Sequence, residues 1–199
     1  KMRIDSHHHL WDLSVRDQEW IVGDEMQTIR RSFAISDLKD AIKSSRIDRT
    51  VLVQTVTDYS ETPELLAIAQ SEHLVGAVVG WLQIDAPDAI ARLHQYLDLP
   101  GAEYLKGIRD IAQDHPDPNY LAKPQTIANV KKLGELGIAF DLLTKTPELA
   151  AAIKLVSACP DVQFVMDHIS KPYIAKKEIE PWKTLMTELA IFPNVLCKV

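Results

Sequence analysis

Long hydrophobic runs are missing from this 199-residue sequence. None approaches the ~20 consecutive apolar residues that a bilayer crossing needs, so membrane insertion is not expected. Positive charge is in deficit: 22 Lys and Arg stand against 28 Asp and Glu, for a net charge of −6. Broad binding to nucleic-acid backbones draws on an excess of Lys and Arg, so small molecules are the better partners to consider. Cysteine is scarce, with only Cys159 and Cys197 present. The chain also runs straight into a strand-like segment without a basic-then-apolar leader, and together these features predict a cytoplasmic location. No linker, low-complexity tract or charge block divides residues 1–199, which read as a single domain.

What is there is a rhythm. Apolar, β-branched segments recur at Met2 to His7, Thr50 to Val56, Leu74 to Ile84, Leu105 to Ile111, Ile138 to Leu143, Val162 to His168 and Asn194 to Val199, and each reads as a buried strand. Between them, apolar residues three and four apart mark helices, as in Ala89, Ile90, Leu93 and Leu97, or Leu149, Ala152, Ile153 and Val156. Thr62-Pro63-Glu64-Leu65 and Thr146-Pro147-Glu148-Leu149 both look like helix starts, with a capping hydroxyl, a proline at the first helical position and an acid facing the dipole.

Strand and helix alternating every ~25 to 35 residues imply right-handed βαβ units and a parallel sheet covered on both faces. An open doubly wound sheet would carry a Gly-rich turn after its first strand; here Met2–Ile4 is followed by Asp5-Ser6-His7-His8-His9-Leu10-Trp11. A (β/α)8 barrel is the better fit. The expected neighbouring strands, in chain order, are Met2–His7, Val51–Gln54, Val75–Trp81, Lys106–Arg109, Ile138–Leu142, Phe164–Asp167 and Val195–Cys197. Such a barrel has eight strands, so seven predict a chain truncated within strand seven, with its C-terminal part missing. Two open edges could pair with other chains, which leaves a homo-oligomer open. The long connection from Trp11 to Ile35, with Trp20 in it, is expected to lie over the barrel mouth.

The most specific local signal is the histidine run that ends the first strand. Side chains alternate along a strand, so His7 and His9 point one way and His8 the other, and two imidazoles on one face can hold a metal or polarise a substrate. Arg109 lies in an otherwise apolar strand and must meet an anion, either a carboxylate substrate or an internal partner among Asp110, Asp141 and Asp167. His168 follows Asp167 at a strand mouth, where period-two geometry sends the two side chains apart. Lys198 is either a site residue or a solvated strand end. Gln54 and Asp141 sit at similar mouths, and His73 and His94 read as surface residues.

Ile4-Asp5-Ser6-His7-His8-His9-Leu10-Trp11 resembles the opening of amidohydrolase-related proteins, in particular their sugar-lactonase and dicarboxylate-lactonase branch. Gly107-Ile108-Arg109, Gln113-Asp114 and Val165-Met166-Asp167-His168-Ile169-Ser170-Lys171-Pro172 resemble further marks of that branch, in the same order. The resemblance implies a barrel hydrolase that opens a small sugar-acid or dicarboxylate lactone, with or without one divalent metal, zinc first among the candidates. It implies His7, His9 and His168 as catalytic residues, His7 and His9 as metal ligands, and Arg109, Trp20 and His115 as substrate contacts.

The sequence departs from the branch in two places. The general-base aspartate of the eighth strand, set in a Gly-Ser-Asp-Trp-Pro-like segment, has no counterpart here, and His115 stands where relatives often have an acid. Pro116 and Pro118, in the loop that follows, weight His115 toward a turn residue over a substrate contact. The competing functions are a metal-dependent decarboxylase of the same superfamily and an inactive barrel fragment.

Overall fold

The computed structural model describes residues 1–199. Seven strands, β1 (Ile4–His8), β2 (Arg49–Val53), β3 (Val75–Trp81), β4 (Leu105–Ile111), β5 (Ala139–Leu143), β6 (Phe164–Met166) and β7 (Val195–Cys197), form one sheet in chain order. Every neighbouring pair is parallel. Six α-helices lie between them: α1 (Ile35–Ile42), α2 (Glu61–Ser71), α3 (Ala89–Leu97), α4 (Pro124–Glu135), α5 (Leu149–Ala158) and α6 (Trp182–Leu189). The expected neighbouring strands are all present, with ends displaced by no more than two residues.

The sheet is curled. Six strand spacings of about 4.8 Å would hold β1 and β7 roughly 29 Å apart in a flat sheet. Instead Lys198 Nζ, just past β7, lies 3.3 Å from His7 Nδ1 in β1. Seven parallel strands thus bend far enough for the first and last to share one site.

One contiguous cluster of 33 buried hydrophobic residues packs the helices onto the strands, with Leu52, Val78, Ile108, Phe140 and Phe164 fully covered. Each such side chain contributes about 1.5–3 kcal/mol by leaving water. No helix is long and apolar enough to cross a membrane.

Both expected helix starts differ in detail. Helix α2 begins at Glu61, whose buried carboxylate accepts from the backbone N–H of Thr55 (2.8 Å) and Val56 (3.2 Å) and ties the helix to the end of β2. Thr62 is therefore inside the helix, and its Oγ1 accepts from Trp81 N at 3.0 Å. A Cβ on Gly80 would come 2.6 Å from Thr62 Cγ2, so glycine allows this close approach of helix and strand. At the second start, Thr146–Glu148 forms a 3-10 turn ahead of α5, and Glu148 Oε2 caps Lys145 N at 2.8 Å. Thr146 Oγ1 is buried without a partner, so the carboxylate, not the hydroxyl, does the capping.

Candidate active site

Asp167 directly follows β6, and the chain then turns left-handed for four consecutive non-glycine residues: His168 (φ 51°), Ile169 (45°), Ser170 (57°) and Lys171 (45°). Each costs about 1–2 kcal/mol, most for a β-branched residue such as Ile169. The turn is held at three points. Trp182 Nε1 donates to Ile169 O at 2.7 Å, Ile169 N donates to Lys198 O at 3.0 Å, and the hydroxyls of Thr144 and Ser170 meet at 2.8 Å. Strand alternation stops at Asp167, so Asp167 and His168 do not diverge; both face His7.

Four charges alternate across the mouth of the sheet. Asp141 Oδ2 lies 2.7 Å from Lys198 Nζ, which is 2.9 Å from Asp167 Oδ1, and Asp167 Oδ2 accepts from Arg109 Nη1 at 2.9 Å. The contact of Lys198 with Asp167 Oδ1 is an ion pair whose geometry falls short of a hydrogen bond. Arg109 Nη2 donates to Gln54 O at 2.7 Å, while its Nε is buried and unpartnered. Burial opposes ionisation of Asp167, but His7, Arg109 and Lys198 outweigh it and hold the carboxyl well below the usual range. Burial, with the Asp167 charge, pushes Asp141 the other way, upward.

The histidines divide as alternation requires. His7 and His9 meet through their Nε2 atoms at 3.1 Å, and the His7 and His168 rings are 4.6 Å apart. His8 points away, with Nε2 2.9 Å from Thr50 Oγ1. His9 Nδ1 lies 2.8 Å from Val53 O. A carbonyl only accepts, so Nδ1 carries the proton and Nε2 keeps its lone pair. Burial lowers His9 to about 3 and His168 to about 4, so both are neutral at neutral pH.

This donor set fits a divalent cation. Two Nε2 atoms 3.1 Å apart match a pair of ligands each about 2.0–2.1 Å from one ion. Ligand atoms of His7, Asp167 and His168 also lie within 4.8 Å of one another. His9 and His168 are neutral, as ligands must be.

A cavity of about 510 Å³ opens above these groups, lined in part by His9, Arg109, His168, Gln113 and Lys171 from the sheet side. The connection from Trp11 to Ile35 supplies Arg16, Asp17, Glu19 and Trp20 to the same cavity. The structure thus brings together His7, His9, His168, Arg109 and Trp20. His115 is not among the lining residues: its ring stacks on Tyr120 at 4.2 Å and its Nδ1 accepts from Asp117 N at 3.0 Å, as a turn residue does. Arg109 has its internal partner, Asp167, and lines the cavity as well. Asp167, Lys198 and Lys171 gave little signal in the sequence, since each needs the curl of the sheet or the left-handed turn to reach the site.

An amidohydrolase family model matches residues 4–199. An L-fucono-1,5-lactonase of Burkholderia ambifaria is 34% identical over 197 residues, covering 99% of this chain and 67% of the relative. A second L-fucono-1,5-lactonase, from Burkholderia multivorans, is 28% identical and covers 100% and 67%. The crystal structure of an amidohydrolase from Burkholderia multivorans with bound zinc superposes with a TM-score of 0.89 at 27% identity, covering 99% and 69%. With curled parallel sheet, histidine pair and family model in agreement, the chain belongs to the amidohydrolase family.

Proposed function

We propose that the protein hydrolyses the ester of a small sugar lactone, by attack of water on the ring carbonyl. The observation that carries this reading is the pair of converging imidazoles, His7 and His9, beside Arg109 at the floor of a cavity sized for one small molecule. The similarity to two L-fucono-1,5-lactonases supports a 1,5-lactone of a sugar as the substrate class.

The chain's own residues have separable tasks. His9 keeps a lone pair on Nε2 because Val53 O holds its Nδ1 proton. Arg109 and Lys198 fix Asp167 as an anion. The Arg109 guanidinium places positive charge at the cavity floor, where it offsets charge developing on the carbonyl oxygen. His168, neutral and facing the cavity, is positioned to exchange a proton with the attacking water or the leaving ring oxygen. His7 and His9, with the Asp167 carboxylate beside them, would hold a divalent metal, zinc being the ion in the similar crystal structure. Such an ion supplies Lewis-acid polarisation of the carbonyl and acidification of water.

The sheet is read as seven strands of a (β/α)8 barrel with its site at the C-terminal strand ends, and residues 1–199 as one domain of it. Two free cysteines support a reducing, cytoplasmic setting. Product analysis tests the reaction class: ring opening of L-fucono-1,5-lactone yields one acid equivalent and no carbon dioxide. Carbon dioxide release from an aromatic or sugar acid, with no lactone opened, would point to a decarboxylase instead.

A further inference from the structure

Three basic side chains line the cavity, Arg16, Arg109 and Lys171. Arg16 is paired with Asp58 and Glu64, and Arg109 with Asp167. Lys171 has no carboxylate partner; its Nζ donates to the neutral amide oxygen of Gln113 at 2.5 Å. An ammonium has three hydrogens, so two remain, and the Gln113 amide nitrogen, which makes no hydrogen bond within the protein, adds its own. The pair therefore offers mainly donors, beside one remaining lone pair on the Gln113 oxygen. The left-handed turn that carries Lys171 is costly and triply braced, which is expected where a side chain must be aimed. Opposite, Asp17 and Glu19 stand on the lining, which disfavours a substrate with several negative charges.

We propose that Lys171 and Gln113 form a subsite that grips hydroxyl oxygens of a neutral, polyhydroxylated lactone and sets the preference for such rings over bare ones. The subsite rests on the lactone reading above and adds which residues recognise the sugar. A site built to bond a hydroxyl rejects the analogue that lacks it, because its own donors are then left unpaired.

The test uses the full-length protein and two variants, Lys171→Met and Gln113→Met, each first checked for an unchanged melting temperature. Calorimetric binding of the ring-opened acid L-fuconate is compared with that of 5-hydroxyvalerate, which lacks the hydroxyl row. In parallel, kcat/KM is measured on L-fucono-1,5-lactone and δ-valerolactone. Each variant should bind L-fuconate about 10- to 100-fold more weakly, the size expected for a charge-assisted hydrogen bond, with 5-hydroxyvalerate little changed. The loss in kcat/KM on the sugar lactone should fall mainly in KM. Equal losses on hydroxylated and bare compounds, no loss on either, or no binding of L-fuconate by the unaltered protein would each overturn the subsite. Variant-sensitive binding of L-fuconate without any ring opening would leave the subsite standing and remove the hydrolytic reading.

Discussion

His7 Nε2 and His9 Nε2 face each other at 3.1 Å, and the Val53 carbonyl, 2.8 Å from His9 Nδ1, fixes which nitrogen of His9 bears the lone pair. The two-residue spacing on β1 makes this pair, and the neighbouring strand chooses its tautomer. A divalent cation is the species best matched to it. The protein should bind one zinc per chain, and His9→Ala should lower metal affinity by at least the 10- to 100-fold typical of losing even an outer hydrogen-bond partner. Elemental analysis after dialysis checks it; undiminished metal content in His9→Ala would reject the pair as ligands.

Acid should weaken the metal-free protein earlier than carboxylates alone would. Burial lowers His9 to about 3 and His8 and His168 to about 4, against an ordinary value of 6.5. Below pH 6.5 the unfolded chain takes up protons that the folded one refuses, so stability falls as pH drops from 6.5 toward 4. The depressed carboxyl of Asp167 adds a further loss below its ordinary value of 3.8. Urea unfolding midpoints at pH 7.5, 6.5, 5.5 and 4.5 should decline in that order; a flat profile would contradict the burial of neutral imidazoles.

The buried and exposed ion pairs should behave differently. Arg109 and Asp167 are 4% and 0% exposed at their side chains, so Asp167→Asn leaves two cations, Arg109 and Lys198, facing an uncharged amide. Breaking a buried pair costs about 3–5 kcal/mol. Arg92→Gln, which breaks an exposed helical pair with Asp88, should cost about 0.5 kcal/mol or less. Denaturant titration measures both, and equal effects would argue against a charge network at the strand mouths.

Much of this was legible in the sequence, and the reasons differ by residue. Parallel strands in chain order follow from apolar β-branched segments alternating with amphipathic helices, and the opposite orientations of His7 and His8 follow from period two. The grouping of Asp167 with His168 did not follow from that rule, because the rule applies only while the chain is a strand. Four left-handed residues without a glycine give no compositional warning. Thr62 and Thr146 looked like caps, yet Thr62 lies inside its helix and accepts from Trp81 N, and at the second start the Glu148 carboxylate takes the capping role. Lys198 is ambiguous until the curl of the sheet brings β7 to β1.

The braced turn gives its own prediction. Trp182→Phe keeps the ring packing but removes the N–H that holds Ile169 O at 2.7 Å. A lost hydrogen bond of this kind costs about 1 kcal/mol of stability. Because His168 and Lys171 ride on the turn, turnover should fall more than this modest destabilisation implies, and a control that leaves the turn's hydrogen bonds intact at similar stability, such as Leu189→Val, should not show the same fall. Matching activity losses in the two variants would make the turn merely structural.

The most direct test compares ring opening of L-fucono-1,5-lactone by the full-length protein and by His168→Asn, followed as acid release at constant pH against the spontaneous rate. The unaltered protein should accelerate opening far above background, and His168→Asn, folded to the same melting temperature, should lose about 10²- to 10⁴-fold in kcat, the usual contribution of a positioned acid–base group. Opening no faster than background with the unaltered protein, or full activity in His168→Asn, would contradict the assignment of this site to lactone hydrolysis.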